Sequence, residues 1–196
     1  MDRPQFNLGK HVQCLIEKLS RICYDLRVLA KISPIELLKA VYFGYIHSII
    51  SYGIMTWGSS SKATQVLKLQ KRIIKIMKQV SIRTESKKVF KELQILPVPC
   101  IYILESVCFI HQNKNSFKPN LDYHEHNTRT SKNIHLNYHR LTRSLYSISH
   151  TGSKLYNKLP QHIKGHNTRV FKKEVKNILL THMPFSINEC MDLKIK

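Results

Sequence analysis

The sequence predicts a mainly α-helical protein, and three observations carry that prediction. Apolar residues recur at helical spacing in most of the chain, from Val12 to Leu179. Segments of the form Ser33-Pro34-Ile35-Glu36 have the chemistry of a helix start. One short stretch, Asn133 to His139, alternates apolar and polar residues as a strand does. The expected architecture is a helical bundle over residues 1–113, a linker over 114–131, and a smaller basic region over 132–196. That last region is expected to hold a short β-hairpin and a C-terminal helix. Hydrophobic residues form 42% of the 196, enough for a core, which excludes a chain disordered throughout.

The first helix is predicted over His11 to Leu29, with its stripe at Val12, Leu15, Ile16, Leu19, Ile22, Cys23, Leu26 and Leu29. The second starts at Pro34, with Ser33 as cap and Glu36 reaching back, and runs to at least Ile50. Its apolar residues go nearly all round, so it is the expected central buried helix. Ser51-Tyr52-Gly53 bends or breaks it. Gly58-Ser59-Ser60-Ser61 is a linker with Ser61 as the next cap.

A helix over Lys62 to Val80 follows. At about 100° per residue, Val66, Leu69, Ile73, Ile76, Met77 and Val80 fall on one side. Lys68, Lys71, Arg72, Lys75 and Lys78 share an arc of roughly 120° on the other. An ordinary solvated face mixes signs; this arc holds no carboxylate. Shorter helices are expected over Glu85–Leu93 and Cys100–His111, separated by the rigid Leu96-Pro97-Val98-Pro99 turn. Beyond the linker, Ser144–Ser149 is a candidate partner strand for Asn133–His139. Gly152–Leu159 reads as a helix stopped by Pro160. Asn167 caps a last helix over Thr168–Thr181, ended by Met183-Pro184.

Charge narrows the function. There are 32 Lys and Arg against 12 Asp and Glu, formally +20. An excess of that size points to phosphate backbones first, anionic membrane surfaces second, acidic proteins third. Ten cations and one acid, Glu85, lie between Lys62 and Lys91; His126 to Lys173 holds ten more cations, six histidines and no acid. Arg129, Lys132, Arg140 and Arg143 form a second candidate patch, and Tyr123, Tyr138, Tyr146 and Tyr156 can stack on unpaired bases. The five cysteines contain no C-x-x-C and are read as reduced, mostly core-facing thiols, with nuclear or cytoplasmic residence expected.

Catalytic patterns are sparse. The aspartates are Asp2, Asp25, Asp122 and Asp192, with no adjacent pair. Two-metal phosphoryl transfer needs clustered carboxylates, so no local polymerase or nuclease site is expected. His124-x-His126 and His135-x-x-x-His139 have ligand spacing but no cysteine near them. No phosphate-cradling glycine loop and no nucleophile elbow is present. Hence no catalytic residue, no metal and no cofactor is expected.

Taken in order, several motifs resemble the region downstream of the polymerase core in non-long-terminal-repeat retrotransposon reverse transcriptases, especially the jockey-like elements of insects. They are Asn7-Leu8-Gly9-Lys10-His11-Val12 with Glu17-Lys18-Leu19-Ser20, Tyr52-Gly53-Ile54-x-x-Trp57-Gly58, and Leu69-Gln70-Lys71-Arg72-x-Ile74. Phe90-x-x-Leu93-x-Ile95-Leu96-Pro97 and Asn127-Thr128-Arg129 follow. Gly152-x-x-Leu155-Tyr156-Asn157-x-Leu159-Pro160-x-x-Ile163-Lys164 and Phe171-Lys172-x-x-Val175-Lys176 complete the set. The set spans almost the whole chain; Gly9 departs from the tryptophan often found there. The resemblance implies a thumb-like helical bundle and its downstream region. The catalytic palm, with its aspartate pair, would lie before Met1, and the endonuclease would be absent. It implies RNA or RNA/DNA duplex as partner, and the missing polymerase core in trans as a second. Two rival readings stand beside it. One is a membrane-associated protein with a span at 40–61, a run without Asp, Glu, Lys or Arg, followed by a basic surface helix; the other is a decayed element copy.

Overall fold

Helix α1 covers Leu8–Ile32 and buries Val12, Leu15, Leu19, Ile22, Cys23, Leu26 and Ala30, the stripe its spacing dictates. In this computed structural model, which describes residues 8–123, 128–138, 140 and 147–193, its main partner is α5, Ala63–Met77. Lys62 Nζ donates to the Gly9 carbonyl at one end of the pair (3.3 Å), and the Gln79 amide donates to the Ala30 carbonyl at the other. The two helices therefore run parallel, and residues 33–62 are the crossover that parallel neighbours require.

The crossover is α2 (Ile35–Val41), a π-helical turn (Tyr42–Ile46), α3 (His47–Ser51) and α4 (Ile54–Trp57). Leu38, Tyr42, Ile46, Ile50 and Ile54, each four residues from the last, are all at most 1% exposed. A regular α-helix advances about 40° for every four residues, so such a series would wind off one face. The wider π turn rotates the register back, and the break at Gly53, with φ +61°, resets it again. One stripe is buried, not the whole surface: Leu37, Tyr45 and Tyr52 are 47%, 55% and 73% exposed. This corrects the expectation of a central helix buried all round.

Two caps also differ. Pro34 is the residue before α2, with no side-chain cap bond, so Ser33 and Glu36 do not form the expected box. At the start of α5, Lys62 is already helical and no side chain caps it; Ser61 offers its carbonyl to the Thr64 hydroxyl instead. Gly58 lies where a Cβ would stand 2.6 Å from both the Ile54 carbonyl oxygen and the Tyr102 ring, so only glycine permits that approach.

The helix buried on nearly every side is α7, Val98–Gln112, reached from α6 (Ser86–Leu93) through the Leu96–Pro97 turn. Val98, Cys100, Ile101, Tyr102, Ile103, Leu104, Val107, Cys108 and Ile110 are all buried. Helices α3, α4 and α5 pack on it. So do α8 (Ile148–Lys158), α10 (Thr168–His182) and α11 (Ile187–Asp192), with α9 (Gln161–Lys164) leading into α10. The elements after residue 131 thus share one hydrophobic cluster with those before 113.

Helix α8 begins at Ile148, four residues before the expected start, because Ser147 caps it by accepting from the His150 N–H. Asn167 Oδ1 accepts from the Val170 N–H (3.0 Å), and Met183 ends α10 in the left-handed conformation at φ +51°, as read from the sequence. The expected hairpin is not formed by the described residues. Ile134 makes a single antiparallel bridge, to Pro119, and residues 147–149 belong to the start of α8; 144–146 lie outside the described residues. No single helix among the described residues is long and apolar enough to cross a membrane; the bent pair α6 and α7 passes by length and composition only together.

Candidate nucleic-acid interface

The site is set by how α5 is buried. Its core-facing residues are Val66, Leu67, Gln70, Ile73, Ile74 and Met77. On a helical projection they span about 120°, with Gln70 in the middle. Leu69, Ile76 and Val80, expected on the apolar side, lie on its flank and are half-buried. The shift arises because α5 is gripped by α1 on one side and by α6 and α7 on the other.

That rotation divides the five cations. Lys68 and Arg72 are exposed and make no hydrogen bond or ion pair among the described residues. Lys75 Nζ donates to the Ile82 carbonyl at 2.6 Å, tying down the 78–85 loop. Lys71 sits 4.4 Å over the Phe185 ring. Lys78 pairs with Glu92 at 3.1 Å across α6. The Lys78–Glu92 pair is well solvated and adds little stability, but it engages Lys78 with α6.

Between α1 and α5 runs a groove of about 690 Å³. It is lined by Arg27, Lys31, Lys68, Lys71, Arg72 and Lys75, with Ala30, Ile76, Val80 and Ile82 as its apolar part, and no carboxylate among the described residues lines it. Both helices point their C-terminal ends toward this region, where the macrodipole is negative. The attraction for an anion therefore comes from the side chains alone. Lys68, Lys71, Arg72 and Lys75 are brought together as expected; Lys78 is not part of the lining. Arg27 and Lys31 went unnoticed in the sequence reading. Their signal was present: they stand four apart on α1, beyond its last acid, Asp25.

The second patch is carried by different elements. Arg129, Lys132 and Arg140 are exposed; Arg143 lies outside the described residues. The turn before Ile134 is pinned by Asn157, whose side chain accepts from the Ile134 N–H (2.9 Å) and donates to its carbonyl (2.8 Å). Of the four tyrosines, Tyr123 and Tyr138 are exposed and Tyr146 lies outside the described residues. Tyr156 is buried, with its hydroxyl 3.2 Å from His111 Nδ1, so it packs rather than stacks on a base.

Two buried polar residues hold this surface in place. Gln70, fully buried, donates to the Tyr42 hydroxyl (2.7 Å) and the Leu96 carbonyl (2.9 Å) and accepts from the Val98 N–H (2.9 Å). It ties α5 to the crossover and to the start of α7. His111 stacks on Phe171 with centroids 4.0 Å apart, and its Nε2 lies 3.1 Å from the His166 carbonyl. A carbonyl only accepts, so Nε2 carries the proton and Nδ1 accepts from Tyr156. Burial, reinforced by Lys114, holds the His111 pKa below its ordinary value, against the opposing pull of the His166 carbonyl.

Cys23, Cys100, Cys108 and Cys190 are buried and Cys14 is exposed. Burial pushes the Cys108 and Cys190 thiols up to about 11, and Cys100 donates to the Pro184 carbonyl. Among the described residues no three His, Cys, Asp or Glu side chains converge as metal ligands; His124, His126 and His139 lie outside them. Comparisons of the chain with protein-family models, with curated proteins and with solved structures find no match.

Proposed function

We propose that this chain is a nucleic-acid-binding segment, similar to the thumb and downstream region of a non-long-terminal-repeat retrotransposon reverse transcriptase, without catalysis of its own. Its partners are RNA or an RNA/DNA duplex, and the polymerase core in trans. The observation that supports this reading is the α1–α5 groove: six cations on its rim and no carboxylate in its lining. Four of the six, Arg27, Lys31, Lys68 and Arg72, have no protein partner among the described residues, so their charge is available to phosphates. A rim kept for solubility would interleave carboxylates. The ordered set of motifs supports the family.

The test is the double variant Lys68→Glu with Arg72→Glu. Both side chains are exposed and unpaired, so the fold should be kept, as checked by helical circular dichroism. Duplex affinity should drop sharply, and the slope of log K against log salt should shrink by about 2, one for each phosphate contact removed. Unchanged affinity and slope in a folded variant would place the interface elsewhere.

A further inference from the structure

The second patch is built differently from the groove. No aromatic residue lines the groove, so it can neutralise phosphates but cannot stack on a base. Around residues 118–138 the aromatic rings are at the surface. Tyr123, 49% exposed, stacks on His135 with centroids 4.0 Å apart and planes 24° from parallel. Tyr138 is 89% exposed. His135 also walls a cleft of about 640 Å³ with an apolar part at Ile134 and Leu136 and polar groups from Asn120, Asn133 and Asn157.

The backbone that carries Tyr123 and His135 is cross-linked by hydrogen bonds. Asn120 N–H donates to the Asn133 carbonyl, Leu121 N–H to Ser131, and His135 N–H to Lys118, at 2.9, 3.0 and 2.9 Å. Asn120 Oδ1 lies 3.1 Å from His135 Nδ1, and Asn157 locks Ile134 from α8. Arg129 and Lys132 stand exposed on the turn that supplies Thr130 and Asn133 to the cleft. The acids of the segment, Asp122 and Glu125, precede that turn, and none follows before Glu174.

We infer that this surface is a stacking site for unpaired nucleotides, with Tyr123 and Tyr138 as platforms, the cleft meeting base edges, and Arg129 and Lys132 neutralising the adjoining phosphates. It rests on the nucleic-acid reading above and adds a division of labour. The groove holds backbone phosphates of either form; the tyrosine surface acts only where bases are unpaired. Aromatic platforms are sequence-tolerant because every base has a π-face, so the ligand class is single-stranded RNA or DNA rather than one sequence.

The experiment compares a short single-stranded RNA with its own duplex in fluorescence-anisotropy titrations of the full chain. Tyr123→Ala with Tyr138→Ala should weaken the single strand about tenfold or more and leave the duplex within about twofold. Tyr→Phe at both positions should restore single-strand binding, since stacking needs the ring and not the hydroxyl. Tyr138→Ala alone, at an almost fully exposed side chain, should give part of the same loss with an unchanged melt. Equal losses on both ligands, no loss on the single strand, or a Phe variant as weak as the Ala variant would each overturn the stacking site. Failure of the wider reading looks different: the Lys68→Glu, Arg72→Glu variant would then leave both ligands bound as before.

Discussion

Gln70 sits at the centre of the buried face of α5, next to Lys71, whose ammonium lies over the Phe185 ring on the groove rim. All three of its polar contacts are buried, so each has no water to fall back on. Gln70→Leu keeps the volume but leaves the Leu96 carbonyl, the Val98 N–H and the Tyr42 hydroxyl unpartnered. The expected loss is about 3 kcal/mol or more, at about 1–3 kcal/mol for each buried group left unsatisfied, measured by urea denaturation. A loss below about 1 kcal/mol would mean that the site relaxes to repair itself. Several other motif residues are similarly structural. Gly53 breaks the crossover, Trp57 is buried with its indole N–H on the Tyr52 carbonyl at 3.1 Å, and Gly58 admits Tyr102. Asn157 pins Ile134, while Lys164 lies 5.3 Å over Tyr156 and donates to the Asn157 carbonyl. Spacing made these residues visible as a set, but the roles of Gln70, Gly58 and Asn157 depend on partners 20 or more residues away, which periodicity does not encode.

At the scale of elements, α1 and α10 were legible because one-sided stripes and a good cap specify a helix locally. Asn167 is the clearest case, since its cap bond spans three residues. The crossover was misread because spacing by four is ambiguous. It reads as an all-round apolar helix until a π turn and a left-handed glycine realign the stripe. The strand reading of Asn133–His139 is met only at Ile134: residues 118–120 pair with 133–135 through one antiparallel bridge, while the N–H and carbonyl of Ile134 are taken by the Asn157 side chain, so the ladder does not extend. The α7–α8–α10 junction makes its own prediction. The folded protein holds His111 neutral, so its folded pKa lies below the unfolded value of 6.5. Between those two values the unfolded chain binds more protons, and stability rises with pH. The contribution is therefore complete above about pH 6.5 and is lost as pH falls through the folded value. The urea midpoint should drop between pH 7 and pH 5, and drop less in His111→Gln. Identical pH dependence in the two proteins would remove His111 from this role.

For the molecule as a whole, the groove depends on two helices that are 30 residues apart in sequence yet run side by side, held at both ends by Lys62 and Gln79. The sequence displayed the acid-free arc on α5, and it displayed Arg27 and Lys31 on α1. What it did not display was their juxtaposition, because the parallel pairing is fixed by the crossover and by the burial of Leu19, Ile73 and their neighbours. Nor did it show that Lys71, Lys75 and Lys78 each meet a local partner. A formal charge of +20 would attract any polyanion weakly; a groove concentrates several contacts on one backbone. The measurement that tests phosphate binding most directly is the salt dependence of duplex binding. About four phosphate contacts, one for each groove cation without a protein partner among the described residues, predict a slope of log K against log salt of about −3 to −4. A slope near zero would contradict a phosphate-binding groove.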